Sequence, residues 1–244
     1  MAHIYRYPGA TDAEAYEWEN QIADPERLIE AFMTSVRPMA GATVVDVGAG
    51  SAFHAVRFAR EAERVFAVEP DSNMLHQAFT RLATDPVANV SVIAADAENV
   101  PLHAEIADVI HARFAYFFGP ESGGVQSCLP GVQEAQRLLR PGGVFFVIDN
   151  ALTSGQFAGL LRQYGYVPSH DGAAEQAERD AFWAQLGFRK HTVESWWSAR
   201  DPWMLRRVVS MEFKPEYVEA IMEQMISTRF SYHYDVYWWT DRQE

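Results

Sequence analysis

The chain has 244 residues, 48% of them hydrophobic, enough to bury the core of one large domain, with or without a smaller appendage. Its 20 Lys and Arg face 33 Asp and Glu, and the net charge of −13 disfavours nucleic-acid backbones and anionic membranes as partners and favours small or cationic ligands. The one cysteine, Cys128, excludes an intramolecular disulfide and a multi-cysteine zinc site and fits a reducing, cytoplasmic compartment; no signal-peptide pattern and no membrane-length apolar run is visible.

From Asp12 to about Val36 the pattern is helical, with an acidic start in TDAEAYEWEN and Ala15, Trp18 and Ile22 at spacings of three and four. Residues 1–40 are therefore expected to form a helical cap placed to lie over a site. Residues 41–150 alternate: TVVDVG reads as a strand, FHAVRFAREA as a helix, RVFAVE as a strand, SNMLHQAFTRLA as a helix and VSVIAAD as a strand. ADVIHARFAYF follows as a strand with its exit loop, VQEAQRLLR as a helix and GGVFFVID as a strand. This order implies right-handed crossovers and a parallel, doubly wound α/β sheet, and the near-continuous apolar strands imply that both faces are covered. Ligands in such sheets bind beyond the carboxyl ends of the strands.

In residues 151–244 the texture changes. SGQFAGLLRQYGY, AAEQAERDAFWAQLGF and KPEYVEAIMEQMIS look helical, while RKHTVESWW and FSYHYDVYWW look like strands. Pro168, Pro202 and Pro215 punctuate elements, and Pro141-Gly142-Gly143 is expected to end a helix and start a strand. This segment should add strands and a cap to the same structural domain.

Two features select a ligand. Gly48-Ala49-Gly50 follows a buried strand, where glycines let a ligand approach the backbone and the next helix offers its positive end; a tight turn alone is the competing reading. Glu69 closes the next strand 69 − 48 = 21 residues on, where a carboxylate accepts from both hydroxyls of a ribose; Asp71 and Ser72 are better placed to cap the following helix. A dinucleotide turn needs a third glycine beside the pyrophosphate, but Ala52 and the bulky Phe53 stand there.

In VVDVGAG, VFAVEPDSNML, VIAADAENVPL and EAQRLLRPGGVFFV, in that order, the chain resembles the class I S-adenosylmethionine-dependent methyltransferases, nearest to the small-molecule group with a methyltransferase type 11 core. The resemblance covers about Val44 to Asp149. It implies a Rossmann-like, doubly wound, mostly parallel seven-stranded sheet with S-adenosylmethionine as cofactor and S-adenosylhomocysteine as product. Asp46, Gly48 and Gly50 would hold the methionine end, Glu69 the ribose, Met74 the adenine face, Asp96 and Ala97 the adenine edge, and His111 the sulfonium region. Ala52 departs from the third glycine of many members.

Methyl transfer from a sulfonium mainly requires alignment and exclusion of water. His111 is a candidate general base as well as a cofactor contact; Tyr116 is a second catalytic candidate against a core role, and Arg113 a partner for a carboxylate against a surface ion pair. Asp149-Asn150 resembles part of a magnesium site, but the preceding strand ends in His111 and Arg113 rather than an acid, so no metal is expected. The motifs of DNA methyltransferases are absent. Aromatic residues gather in the tail, and Trp197 and Trp203, with Tyr16 and Trp18 from the N-terminal helix, are candidate contacts for a flat or cationic acceptor; core packing or a homodimer contact is the alternative. The expected activity is methyl transfer to an O, N or C atom of a small aromatic or polycyclic metabolite. Its rivals are a cofactor-binding protein without methyl transfer, including one that runs a cyclisation or rearrangement, and a nicotinamide-dependent oxidoreductase.

Overall fold

The computed structural model describes residues 12–115, 128–165 and 171–241. Its strands are β1 (Thr43–Val47), β2 (Arg64–Glu69), β3 (Val90–Ala94), β4 (Ala107–Arg113), β5 (Leu139–Ser154), β6 (Arg189–Ser198) and β7 (Arg229–Thr240). They form one seven-stranded sheet in the order β3-β2-β1-β4-β5-β7-β6. β1 pairs in parallel with β2 and β4, as β2 does with β3 and β4 with β5, while β7 is antiparallel to both β5 and β6. The sheet thus has the α/β, mostly parallel architecture expected, with one strand reversed.

Period-two alternation splits the sheet between two cores. Val44 and Phe146 face one core, with Ala15 of α1 (Ala13–Ile22), Ile29 of α2 (Leu28–Val36), Ala55 of α3 (Phe53–Phe58) and Ala78 of α4 (Ser72–Thr84). Val45 and Phe145 face the other, with Val132 of α5 (Leu129–Leu138). Phe157 of α6 (Gly155–Tyr164) joins the first core and Trp183 of α7 (Gly172–Gln185) the second. Phe145 and Phe146 are fully buried, each contributing about 1.5–3 kcal/mol. Among the described residues no helix is long and apolar enough to cross a membrane.

Four local expectations are corrected. The N-terminal helical run is two helices, α1 and α2, separated at Asp24-Pro25, with Asp24 and Arg27 at positive φ. Asp24 caps α2 by accepting from Leu28 N and Ile29 N, both at 3.0 Å, and accepts from Ser195 Oγ of β6 at 2.6 Å, which ties the cap to the sheet. A further helix, α8 (Pro202–Glu212), precedes α9 (Pro215–Gln224) in the tail, started by Asp201, which accepts from Met204 N at 2.8 Å, with Pro202 in its first turn. α5 stops at Leu138, so Pro141-Gly142-Gly143 lies inside β5, in a bulge where pairing with β4 jumps from Ala107↔Leu139 to Val109↔Val144. Ser72 is the first residue of α4, and Asp71 alone caps it, accepting from Asn73 N and Met74 N.

Candidate active site at the carboxyl ends of the strands

The turn after β1 is fixed by its backbone. Gly48 N and Ala49 N donate to Val68 O at 2.8 and 3.0 Å, and Gly48, Gly50 and Ala52 take φ of +68°, +55° and +60°. A Cβ on Gly48 would collide with Ala115 Cβ, and one on Gly50 with Tyr16 Oη. Ala52 holds the left-handed geometry that glycine adopts freely, at a cost of about 1–2 kcal/mol, with its methyl buried in the core. The third position of the turn therefore takes the conformation favoured by glycine with an alanine in place.

Three strand ends converge on this turn. Register places Asp46 of β1 beside His111 of β4, and Asp46 Oδ1 lies 2.7 Å from His111 Nδ1, with both residues at 2% exposure. Asp46 Oδ2 is buried and makes no hydrogen bond among the described residues. Glu69, at the end of β2, accepts from Gly50 N at 2.9 Å and Asp71 N at 2.8 Å; burial pushes its carboxyl above the usual range. Beyond β3, Asp96 accepts from Glu98 N at 2.9 Å, and Met74 and Ala97 lie on the same wall.

These donors and acceptors suit S-adenosylmethionine. The orphaned Asp46 oxygen matches an ammonium, each Glu69 oxygen keeps a lone pair for a hydroxyl, and Asp96 is placed to accept from an amino group. Held there, the cofactor supplies an electrophilic methyl group on a sulfonium.

A cavity of about 660 Å³ is lined by these residues together with side chains of β5, β6, β7 and α6, within the usual size of a small-molecule site. Tyr16, Arg113 and Trp197 are among its lining, and burial keeps the Tyr16 phenol protonated by pushing its pKa up. Phe157, Tyr232 and Tyr234 complete an aromatic wall: Phe157 stacks on Tyr232 at 4.0 Å, and Tyr232 on Tyr234 at 4.4 Å. Trp18 and Trp203 are not part of the lining. They pack edge to face at 5.0 Å with Arg207 5.8 Å from each ring, joining α1 to α8 from outside, so the substrate contacts expected of them are corrected to a cap clamp. Tyr116 lies outside the described residues.

Sequence reasoning missed His54, in the first turn of α3, which lines the cavity 5.5 Å from the His111 ring. Its Nε2 lies 3.4 Å from Arg113 Nη1, and burial lowers its pKa to about 4. The signal lies in its position just past the glycine turn, where the first turn of the next helix borders the cavity. Asp149 also lines the cavity, and its Oδ2 pairs with Arg179 Nη1 at 2.5 Å. Among the described residues no three His, Cys, Asp or Glu side chains are grouped to hold a metal.

Residues 44–143 match the family described as a methyltransferase domain. Cypemycin N-terminal methyltransferase of Streptomyces sp is 29% identical over 140 residues, 56% of this chain and 54% of that protein. Dimethylglycine N-methyltransferase of Parasynechococcus marenigrum is 29% identical over 140 residues, 56% of this chain and 48% of that protein, so the match spans about half the length of either relative. A SAM-dependent methyltransferase from Aquifex aeolicus shares the fold, with a TM-score of 0.59 at 17% identity over 96% of this chain and 98% of that one. The glycine turn and the Asp46, Glu69 and Asp96 carboxylates fall within the matched residues, so residues 44–143 carry a methyltransferase domain, and in this segment and in its sheet the chain is similar to the class I S-adenosylmethionine-dependent methyltransferases.

Proposed function

We propose that the chain transfers the methyl group of S-adenosylmethionine to a nucleophilic atom of a small metabolite held at the aromatic end of the cavity. The observation that carries this is continuity: Asp46, Glu69 and Asp96 line the same space as Phe157, Trp197, Tyr232 and Tyr234. The chain's part is to align the two reactants and exclude water. Tyr16 closes α1 onto the Gly50 turn, and the aromatic wall shields the other end. His111 turns Nδ1 to Asp46, which leaves Nε2 as the nitrogen to receive a proton from an acceptor. The tyrosines act as donors rather than bases, because burial raises the pKa of Tyr16, Tyr232 and Tyr234.

An aromatic acceptor suits the rings, and so does an amine, which the faces of aromatic rings attract when it is protonated. Glu19 and Glu212 on the same lining, together with a curated relative named as a dimethylglycine N-methyltransferase, favour nitrogen over oxygen or carbon as the methylated atom. The test is incubation of the full chain with methyl-labelled S-adenosylmethionine and a deproteinised small-molecule extract. A product heavier by one methyl, formed mole for mole with S-adenosylhomocysteine, is the expected result. Release of S-adenosylhomocysteine without a methylated product would contradict it.

A further inference from the structure

We infer that the aromatic end of the cavity is a carboxylate subsite, so that the acceptor carries a carboxylate held by Trp197, Tyr234 and Arg113. This rests on reading the cavity as a methyl-transfer site. Trp197 and Tyr234 are essentially fully buried and both line the cavity, yet neither the indole Nε1 nor the phenol Oη makes a hydrogen bond among the described residues. Leaving such a group bare costs about 1–3 kcal/mol. An indole N–H only donates, so the atom that meets it must be an acceptor. Burial keeps the phenol protonated, outweighing the Arg113 charge and the Trp197 indole, which both favour its ionisation, the indole approaching outside hydrogen-bond geometry; Tyr234 therefore also has a hydrogen to donate. A carboxylate set between the two groups would accept from both.

Arg113 supplies the charge. Its guanidinium carbon lies 4.9 Å from the centre of the Tyr234 ring. The polar side chain it meets is His54, at 3.4 Å, which burial keeps neutral at pH 7 with a pKa of about 4; no carboxylate of the described residues pairs with Arg113. Asp46, Glu69 and Asp96 lie at the other end and Glu19, Asp149 and Glu212 also line the cavity, so a carboxylate is favoured only within reach of Arg113, with its own amine left to the acids, and a dianion would meet stronger repulsion. A planar carboxylate matches the guanidinium fork. The position also separates the acceptor from the cofactor: Trp197 and Tyr234 stand on β6 and β7, whereas Asp46 and Glu69 lie at the ends of β1 and β2 and Asp96 just beyond β3.

The test is calorimetry on the full chain saturated with S-adenosylhomocysteine. The probes are N,N-dimethylglycine and anthranilate, each compared with its own amide. At least one acid is expected to bind about tenfold more tightly than its amide. Trp197→Phe and Tyr234→Phe, which keep the rings, and Arg113→Gln should each weaken that acid about three- to tenfold, with the Kd for S-adenosylhomocysteine unchanged. Acids that bind no better than their amides, or variants that leave the acid unaffected, would overturn the subsite. So would Arg113→Gln weakening S-adenosylhomocysteine instead, which would assign the guanidinium to the cofactor. Methyl transfer is read separately: acids that bind but are never methylated would leave the subsite standing and remove the methyl-transfer reading.

Discussion

His111 Nδ1 lies 2.7 Å from Asp46 Oδ1 because parallel pairing of β1 and β4 sets the two residues opposite each other on one face of the sheet. The pair is buried beneath the glycine turn, where Asp46 has one oxygen for His111 and one for a ligand. Asp46→Ala removes both interactions. It should lower stability by about 1–3 kcal/mol in urea unfolding and abolish S-adenosylhomocysteine binding in calorimetry. His111→Phe should keep more of the cofactor affinity while lowering kcat, if His111 receives the proton as proposed.

Tyr16 and Gly50 are coupled across the lid. Gly50→Ala meets two obstacles, a φ of +55° that costs about 1–2 kcal/mol and a collision with Tyr16 Oη. Tyr16→Ala relieves the second but not the first. A double-mutant cycle on cofactor affinity should therefore show Gly50→Ala to be less harmful in the Tyr16→Ala background, by more than the roughly 0.5 kcal/mol within which independent sites add.

Glu69 makes cofactor binding sensitive to acid. Burial raises its folded-state pKa above the ordinary value of 4.5, and ribose hydroxyls donate to the ionised form. Affinity is thus fully present above the raised pKa and is lost as pH falls through it, beginning at a higher pH than for an exposed glutamate. Glu69→Gln should bind S-adenosylhomocysteine weakly at every pH and lack this acid limb, as read by calorimetry from pH 4 to 8.

His54 should govern part of the acid stability. Burial depresses its pKa from 6.5 to about 4, so the unfolded chain takes up a proton in that window while the folded chain does not. Its contribution is complete above pH 6.5 and is lost as pH falls toward 4, by about 3 kcal/mol at most. Urea midpoints across that range should fall less steeply in His54→Phe than in the parent chain.

The sheet was legible because five of its strands run through a segment where apolar runs alternate with helical periodicity, and because β6 and β7 alternate cleanly. Glu69 was legible for a related reason, because it closes a strand at a predictable sequence distance from the glycine turn, whereas Asp96 entered only through the resemblance. What lay outside local pattern was missed. α8 is hidden in the sequence although Asp201-Pro202 is a strong helix start, because a proline reads as a breaker as readily as a first-turn residue. The break at Asp24-Pro25 is held partly by Ser195, 171 residues away, a contact no window of sequence contains. Trp18 and Trp203 show the same limit: composition placed aromatic residues near the cap, but only packing decides which faces the cavity and which clamps α1 to α8.

One cavity with two chemically distinct ends is the central claim, and calorimetric titration of S-adenosylhomocysteine into the parent chain, Glu69→Ala and Trp197→Phe tests it most directly. The account predicts one molar equivalent bound by the parent, little or none by Glu69→Ala, and parent-like affinity in Trp197→Phe. No binding by the parent, or equal loss in both variants, would contradict it.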